Sequence, residues 1–213
     1  MGGRGDWRVY VITDARRSRG RSHFAIADAA VRGGATAVQL RMKDEPARVI
    51  AETANAVRDL CRAAGVALIL NDRVDLALAC GADGVHVGQD DLPAEAARRL
   101  LGPGPLLGVS AATAEEAAAA EVAGADYLGV GAIYATATKA DAGAPLGPGR
   151  IPAIRRASGL PIVAIGGITL ENAAEAIRAG AAGVAVVTAV TLAEDMAAAT
   201  RRLRDAVDAA LAR

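Results

Sequence analysis

The sequence predicts an α/β fold, a single (β/α)8 TIM barrel, and three observations predict it. Short β-branched runs alternate with Ala-rich amphipathic stretches eight times along the chain. No shift in composition divides the 213 residues into separate units. A Gly-Ala motif also recurs ahead of every second predicted strand. Eight alternating units imply one parallel sheet with its crossovers, and closing that sheet into a barrel is the economical arrangement for eight. An open doubly wound sheet is the structural competitor. The expected domain runs over 1–213, with 1–8 as a flexible N-terminus.

Alternation places strands at Val9–Thr13, Ala37–Arg41, Ala67–Asn71, Gly84–Gly88, Leu106–Ser110, Tyr127–Gly131, Ile162–Gly166 and Gly183–Val187. Helical spacing fills Ser22–Arg32, Ala47–Ala64, Val74–Cys80, Pro93–Leu101, Thr113–Ala123, Ile151–Ala157, Leu170–Ala179 and Ala193–Leu211. The repeat reads Gly34-Ala35-Thr36, Gly81-Ala82-Asp83, Gly124-Ala125-Asp126 and Gly180-Ala181-Ala182, a glycine ending a helix followed by a small turn and a strand. Overlaying the four copies puts Gln39, His86, Gly129 and Ala185 at one inward level, with Arg41, Gly88, Gly131 and Val187 above them. Gly129 and Gly131 either relieve crowding in a small barrel or leave room for a ligand, and both readings stay open.

Composition removes several function classes. Basic and acidic residues balance at 24 each, so no global field favours nucleic acid or an anionic membrane. No apolar run nears the roughly 18 residues that a spanning helix needs, and the first residues lack the apolar centre of a signal peptide. A cytoplasmic protein acting on small molecules is expected. Cys61 and Cys80 match no metal or redox spacing and read as buried small hydrophobes. Assembly into a homo-oligomer is compatible with the chain but not specified by it.

In such a barrel the site lies at the carboxyl ends of the strands. On strand two, Val38, Leu40 and Met42 share one face, while Gln39, Arg41 and Lys43 share the other. Burying two cations is costly unless an anion meets them, so that face asks for an anionic ligand. The neighbouring ends add Thr13 and Asp14, then Asn71, Asp72 and Arg73, then Gln89, Asp90 and Asp91, then Ser110, then Thr136, Thr138 and Lys139. Strands seven and eight offer backbone instead: Gly166-Gly167-Ile168-Thr169 is read as opening helix seven, and Val187-Thr188 follows strand eight, the usual position of a phosphate cradle. Asp72 and Asp91, at the ends of adjacent strands, suit a Mg²⁺ completed by substrate phosphates. Their alternative role is ion pairing with Arg41, Arg73 or Lys43. The only histidines, His23 and His86, have no second ligand or nucleophile at useful spacing. The stretch 133–149 is rich in Gly, Ala and Pro and reads as a lid able to carry Lys139 onto a leaving group.

The motifs Gln39-Leu40-Arg41-Met42-Lys43, Asn71-Asp72, Gly84-Val85-His86-Val87-Gly88-Gln89-Asp90-Asp91, Gly108-Val109-Ser110, Thr136-Ala137-Thr138-Lys139 and Gly166-Gly167-Ile168 together resemble those of thiamine phosphate synthases. The resemblance implies a (β/α)8 transferase that joins hydroxymethylpyrimidine diphosphate to hydroxyethylthiazole phosphate with Mg²⁺, releasing pyrophosphate and thiamine monophosphate. It implies that Gln39, Leu40, Arg41, Met42, Lys43, Asn71, Ser110 and Lys139 hold the pyrimidine diphosphate, and that Arg41, Lys43, Ser110 and Lys139 serve catalysis. By the same resemblance Asp72 and Asp91 bind Mg²⁺, while Thr136, Ala137, Thr138, Gly167, Val187 and Thr188 hold the thiazole phosphate. Three positions depart from the family pattern: Ala112 stands where a histidine is frequent, Ala135 where a proline is, and Thr188 where a serine is. A thiazole tautomerase-like barrel is the nearest alternative, but it needs an acid–base residue, and Gly131-Ala132-Ile133 has no histidine. A non-catalytic module binding a phosphorylated ligand would have no use for Asp72, Asp91 and Lys139 together.

Overall fold

The computed structural model describes residues 5–136, 138 and 144–212. Eight parallel strands close in sequence order: β1 (Val9–Ile12), β2 (Ala37–Leu40), β3 (Ala67–Asn71), β4 (Gly84–Val87), β5 (Leu106–Ala111), β6 (Tyr127–Val130), β7 (Ile162–Ile165) and β8 (Gly183–Val186). β1 pairs with both β2 and β8, which excludes the open sheet. The helices are α1 (His23–Arg32), α2 (Ala47–Ala64), α3 (Val74–Cys80), α4 (Ala94–Leu101), α5 (Ala114–Val122), α6 (Ile151–Ala157), α7 (Ala173–Arg178), α8 (Thr188–Thr191) and α9 (Met196–Leu211). No described helix is long and apolar enough to cross a membrane.

Alternation within each strand divides the core in two. Val9, Val11, Val38, Leu40, Leu68, Leu70, Val85, Val87, Leu128 and Val130 face the helices and are buried against them. Each such aliphatic side chain stabilises the fold by about 1.5–3 kcal/mol. Tyr10, Ile12, Ile69, Tyr127, Val163 and Ala185 point inward with Trp7 and fill the lower barrel. Trp7 stacks on Tyr127 with ring centroids 3.9 Å apart, plugging the amino-terminal mouth. The free cysteines Cys61 and Cys80 are buried, as expected.

The repeat has a mechanical role that its glycines alone do not reveal. Its third residue accepts the N–H of a helix-facing residue on the preceding odd strand. Thr36 Oγ1 accepts from Val9 at 3.1 Å, Asp83 Oδ2 from Leu68 at 2.8 Å and Asp126 Oδ2 from Leu107 at 2.8 Å. The backbone answers in all four copies, since Thr36, Asp83, Asp126 and Ala182 donate to Val9, Leu68, Leu107 and Ile162. Ala182 lacks the side-chain half of the pair.

Three helices differ from expectation. The helix after β7 begins at Ala173 rather than Leu170, because Asn172 bonds Thr169 N through Oδ1 at 2.8 Å and Gly167 O through Nδ2 at 2.9 Å. That side chain closes a turn in place of a helical one. The final helix begins at Met196, with Asp195 accepting from Ala198 N at 2.9 Å. The short α8, which periodicity did not predict, fills the gap after β8.

Candidate active site

A cavity of about 450 Å³ opens at the carboxyl ends of the strands. Its wall includes Gln39, Arg41, Lys43, Asn71, Asp72, Asp91, Ser110, Thr136, Thr138, Gly167, Val187 and Thr188, so twelve of the sequence-predicted residues converge there. All eight residues of the two inward levels line it as well. Leu40 and Met42 do not: their side chains are buried in the layer between barrel and helices, as strand parity requires. Any contact they make with a ligand in this cavity is through backbone. Ala137 and Lys139 lie outside the described residues.

The β2 wall is built from its supports upward. His23 Nδ1 and Thr13 Oγ1 bond at 2.7 Å, and the same hydroxyl accepts from Arg41 N at 3.2 Å. The buried Asp14 carboxylate accepts from Arg41 Nη1 at 3.2 Å, steadying the guanidinium at the cavity edge. Thr13 and Asp14 therefore act beneath Arg41 and do not line the main cavity. Arg73, collected with the site by position, turns away to Asp75 at 2.6 Å in an exposed pair.

Asp72 follows β3 in a left-handed conformation, φ +61°, with its N–H bonded to His86 O at 2.8 Å. Aspartate is among the few residues that tolerate this backbone. Its carboxyl lies within hydrogen-bonding reach of the Asp91 carboxyl and 3.3 Å from Lys43 Nζ. Burial and then Asp91 push the Asp72 carboxyl above the usual aspartate range, and Lys43 pulls it back. Asp91 is oriented by Gly88 N, which donates to its Oδ2 at 2.8 Å. Two neighbouring carboxylates, one of them 3.3 Å from Lys43, form a donor set that a hard divalent cation fits. The alternative of plain ion pairing holds for Lys43 alone, since Arg41 and Arg73 take other partners.

The cavity floor carries residues that position-by-position reading missed. Tyr10 and Tyr127 meet hydroxyl to hydroxyl at 3.0 Å, and both line the cavity. Tyr127 also bonds His86 Nδ1 at 3.0 Å, whose Nε2 bonds Ser110 Oγ at 3.0 Å. A phenol at an inward strand position, apolar in body and polar at its tip, was the available signal. A Cβ on Gly129 would lie 2.8 Å from the His86 ring, and one on Gly131 would lie 2.2 Å from Ile165 O. Both glycines also line the cavity, so crowding and room for a ligand hold together at these positions.

The opposite wall, from β6 round to β8, holds few charges. Gly167 has φ +63°, and a Cβ there would lie 2.5 Å from Ala135 O. This loop does not open α7, contrary to the sequence reading, because the Asn172 turn intervenes. Val187 caps α8 instead, and the first N–H groups of any helix lack intrahelical acceptors. The base of the 133–149 stretch is tied down, with Leu146 N bonded to Ala132 O at 2.8 Å and Gly147 N to Ile133 O at 2.9 Å. Ala112, one of the departures, donates its N–H to Glu116 Oε2 at 2.6 Å.

A family model described as thiamine monophosphate synthase matches residues 9–190. This chain belongs to that family. It is 60% identical over 199 residues to the thiamine-phosphate synthase of Chloroflexus aurantiacus, covering 93% of this chain and 92% of that one. It is 55% identical over 201 residues to the thiamine-phosphate synthase of Moorella thermoacetica, covering 94% and 96%. Among solved structures, the thiamine phosphate pyrophosphorylase from Pyrococcus furiosus superposes with a TM-score of 0.90 at 40% identity, covering 98% of each chain. Family membership makes the chain a transferase of thiamine biosynthesis.

Proposed function

We propose that this chain joins hydroxymethylpyrimidine diphosphate to hydroxyethylthiazole phosphate, giving thiamine monophosphate and pyrophosphate, with Mg²⁺ as its metal. The observation that carries the reading is the Asp72–Asp91 carboxylate pair, facing Lys43 and flanked by Arg41 on one wall of a cavity large enough for both substrates. Asp72 and Asp91 would hold Mg²⁺, which when bound neutralises charge on the diphosphate. The donor chemistry fits, since two crowded carboxylates are relieved by a cation.

The remaining work is positioning and charge stabilisation: the described site has cations, and its serine–histidine pair, Ser110 with His86 at 3.0 Å, which sequence spacing did not foresee, has the other ring nitrogen bonded to the Tyr127 hydroxyl and not to a carboxylate. Arg41, Lys43 and Lys139 stabilise the departing diphosphate, and the reaction is a dissociative displacement in which the thiazole nitrogen captures the pyrimidinyl-methyl cation. Gln39, Asn71 and Ser110 orient the pyrimidine. Thr136, Ala137, Thr138, Gly167, Val187 and Thr188 hold the thiazole phosphate, chiefly through backbone N–H groups and hydroxyls. Thr188 keeps both, so its departure from serine preserves the contact. The tautomerase alternative gains no support, since Gly131-Ala132-Ile133 offers no acid–base side chain.

The test mixes purified protein, both substrates and Mg²⁺, and follows thiamine phosphate and pyrophosphate together. Equal amounts of the two products, abolished by a chelator, are expected. No product with or without metal would overturn the reading.

A further inference from the structure

The barrel floor holds a line of hydrogen bonds that the displacement leaves unused. Gln39 Nε2 donates to the Tyr10 hydroxyl at 2.9 Å, and the line continues through Tyr127 and His86 to Ser110 in three bonds of 3.0 Å. Each hydroxyl has one proton to give, and a neutral imidazole gives at one nitrogen and accepts at the other. Tyr10 accepts from the Gln39 amide, and because it is buried the arrangement that satisfies its own proton sends it to Tyr127. The Tyr127 proton then goes to Nδ1 of His86, leaving the ring proton on Nε2, aimed at Ser110 Oγ. Ser110 in turn keeps its proton for the cavity. At the other end, an amide that turns its nitrogen to Tyr10 turns its oxygen to the cavity.

We infer that Tyr10 and Tyr127 are positioning residues that set the hydrogen-bond polarity of two walls at once, an acceptor at Gln39 and a donor at Ser110. The site thereby selects a ring that donates at one edge and offers an acceptor at the other. This rests on the proposed substrate, an aminopyrimidine diphosphate, whose exocyclic amine donates to Gln39 while a ring nitrogen or phosphate oxygen accepts from Ser110. An oxo group in place of that amine would set acceptor against acceptor and be refused.

The surroundings hold the line in one arrangement. Tyr10 and Tyr127 are 2% and 0% exposed, and Trp7 backs the Tyr127 ring. A Cβ on Gly108 would lie 2.1 Å from Tyr127 and 2.4 Å from His86, so the two rings meet only because glycine stands there. Burial pushes both phenols well above their ordinary pKa, which keeps the protons the relay needs.

Histidine tautomers read the polarity directly, and the chain has only two histidines, so ¹⁵N-histidine labelling gives two rings. The measurement uses substrate-free protein at a pH well above the ordinary histidine value of about 6.5. His86 is expected as the Nε2–H tautomer, with His23 assigned by its loss in His23→Gln. Gln39→Glu offers Tyr10 only an acceptor, so the line should reverse and move the His86 proton to Nδ1. Tyr127→Phe should free the tautomer, lower kcat/KM for the pyrimidine diphosphate about tenfold, narrow the preference for amino over oxo analogues, and leave KM for thiazole phosphate unchanged. Tyr10→Phe serves the same purpose if Tyr127→Phe does not fold. An Nδ1–H tautomer in the wild type, the same tautomer in Gln39→Glu, or wild-type tautomer and kinetics in the Phe variant overturns the inference. If the wild type makes no thiamine phosphate, the synthase reading falls while the tautomer result still decides the relay.

Discussion

The two sides of the cavity handle negative charge by different means. From β2 to β4 the wall is made of charged side chains on strand ends, each braced by a partner: Arg41 by Asp14, Lys43 by Asp72, and Asp91 by Gly88 N. From β6 to β8 it is made of glycine, hydroxyls and the start of α8, with scarcely a charge among the described residues. The difference matches two tasks. A leaving diphosphate gains charge as the bond breaks and needs cations that answer it, whereas a phosphate that is merely held is served by fixed N–H dipoles. In the proposed reaction, side-chain charge would serve the changing group and backbone the constant one.

The largest effect is expected on the charged wall. Asp72→Asn should lower kcat/KM by about 10²–10³-fold, in the range of lost electrostatic stabilisation. It should leave the metal-free melting temperature unchanged or raised, because one of two crowded carboxylates is gone. Steady-state kinetics beside thermal melts check this, and a loss under tenfold would take Asp72 out of the chemistry. On the backbone wall, Gly167→Ala forces a side chain into φ +63° and against Ala135 O. KM for thiazole phosphate should rise about tenfold and stability fall by about 1–3 kcal/mol, with KM for the pyrimidine diphosphate unmoved. A rise in both KM values would mean that the walls do not act separately.

Smaller effects belong to the supports. Asp126→Ala leaves Leu107 N–H and Arg98 without their shared acceptor at the bottom of the barrel. It should cost about 1–3 kcal/mol by denaturant melt with kinetics intact; altered kinetics would mean that the two ends of the barrel communicate. The smallest effect concerns His23, whose burial lowers its pKa below the ordinary value, an effect offset in part by Glu45 and Asp14. The unfolded chain then binds the proton more readily than the native one. Stability tied to His23 is full above pH of about 6.5 and is lost as pH falls through the lower native value. A stability–pH profile should flatten across that window in His23→Gln, whereas an identical slope would place the acid sensitivity elsewhere.

Much of the fold was legible because parallel strands buried on both faces leave β-branched runs that periodicity detects, and every strand end fell within one residue of expectation. The charged wall was legible for a related reason: residues such as Arg41 and Asp72 sit at strand ends, where topology alone assigns them to the site. Periodicity could not show the turn before α7, since a side-chain bond from Asn172 to its own loop competes with a helical turn and leaves no rhythm in the sequence. Nor could it show the Tyr10–Tyr127 bond. Alternation says that both phenols turn inward, but only the register of a closed barrel brings β1 and β6 into contact across its axis. Parity already assigned the Leu40 and Met42 side chains to the outer face, which leaves only their backbone for a ligand.

Trp7 gives the molecule a built-in optical gauge. It is the only indole in the chain, and it lies against Tyr127 where the barrel is sealed. Its fluorescence is therefore a single-site signal, free of averaging over several emitters. Opening of the amino-terminal mouth would expose it to water and shift its emission to the red, while loss of order confined to the opposite rim would leave the spectrum unchanged.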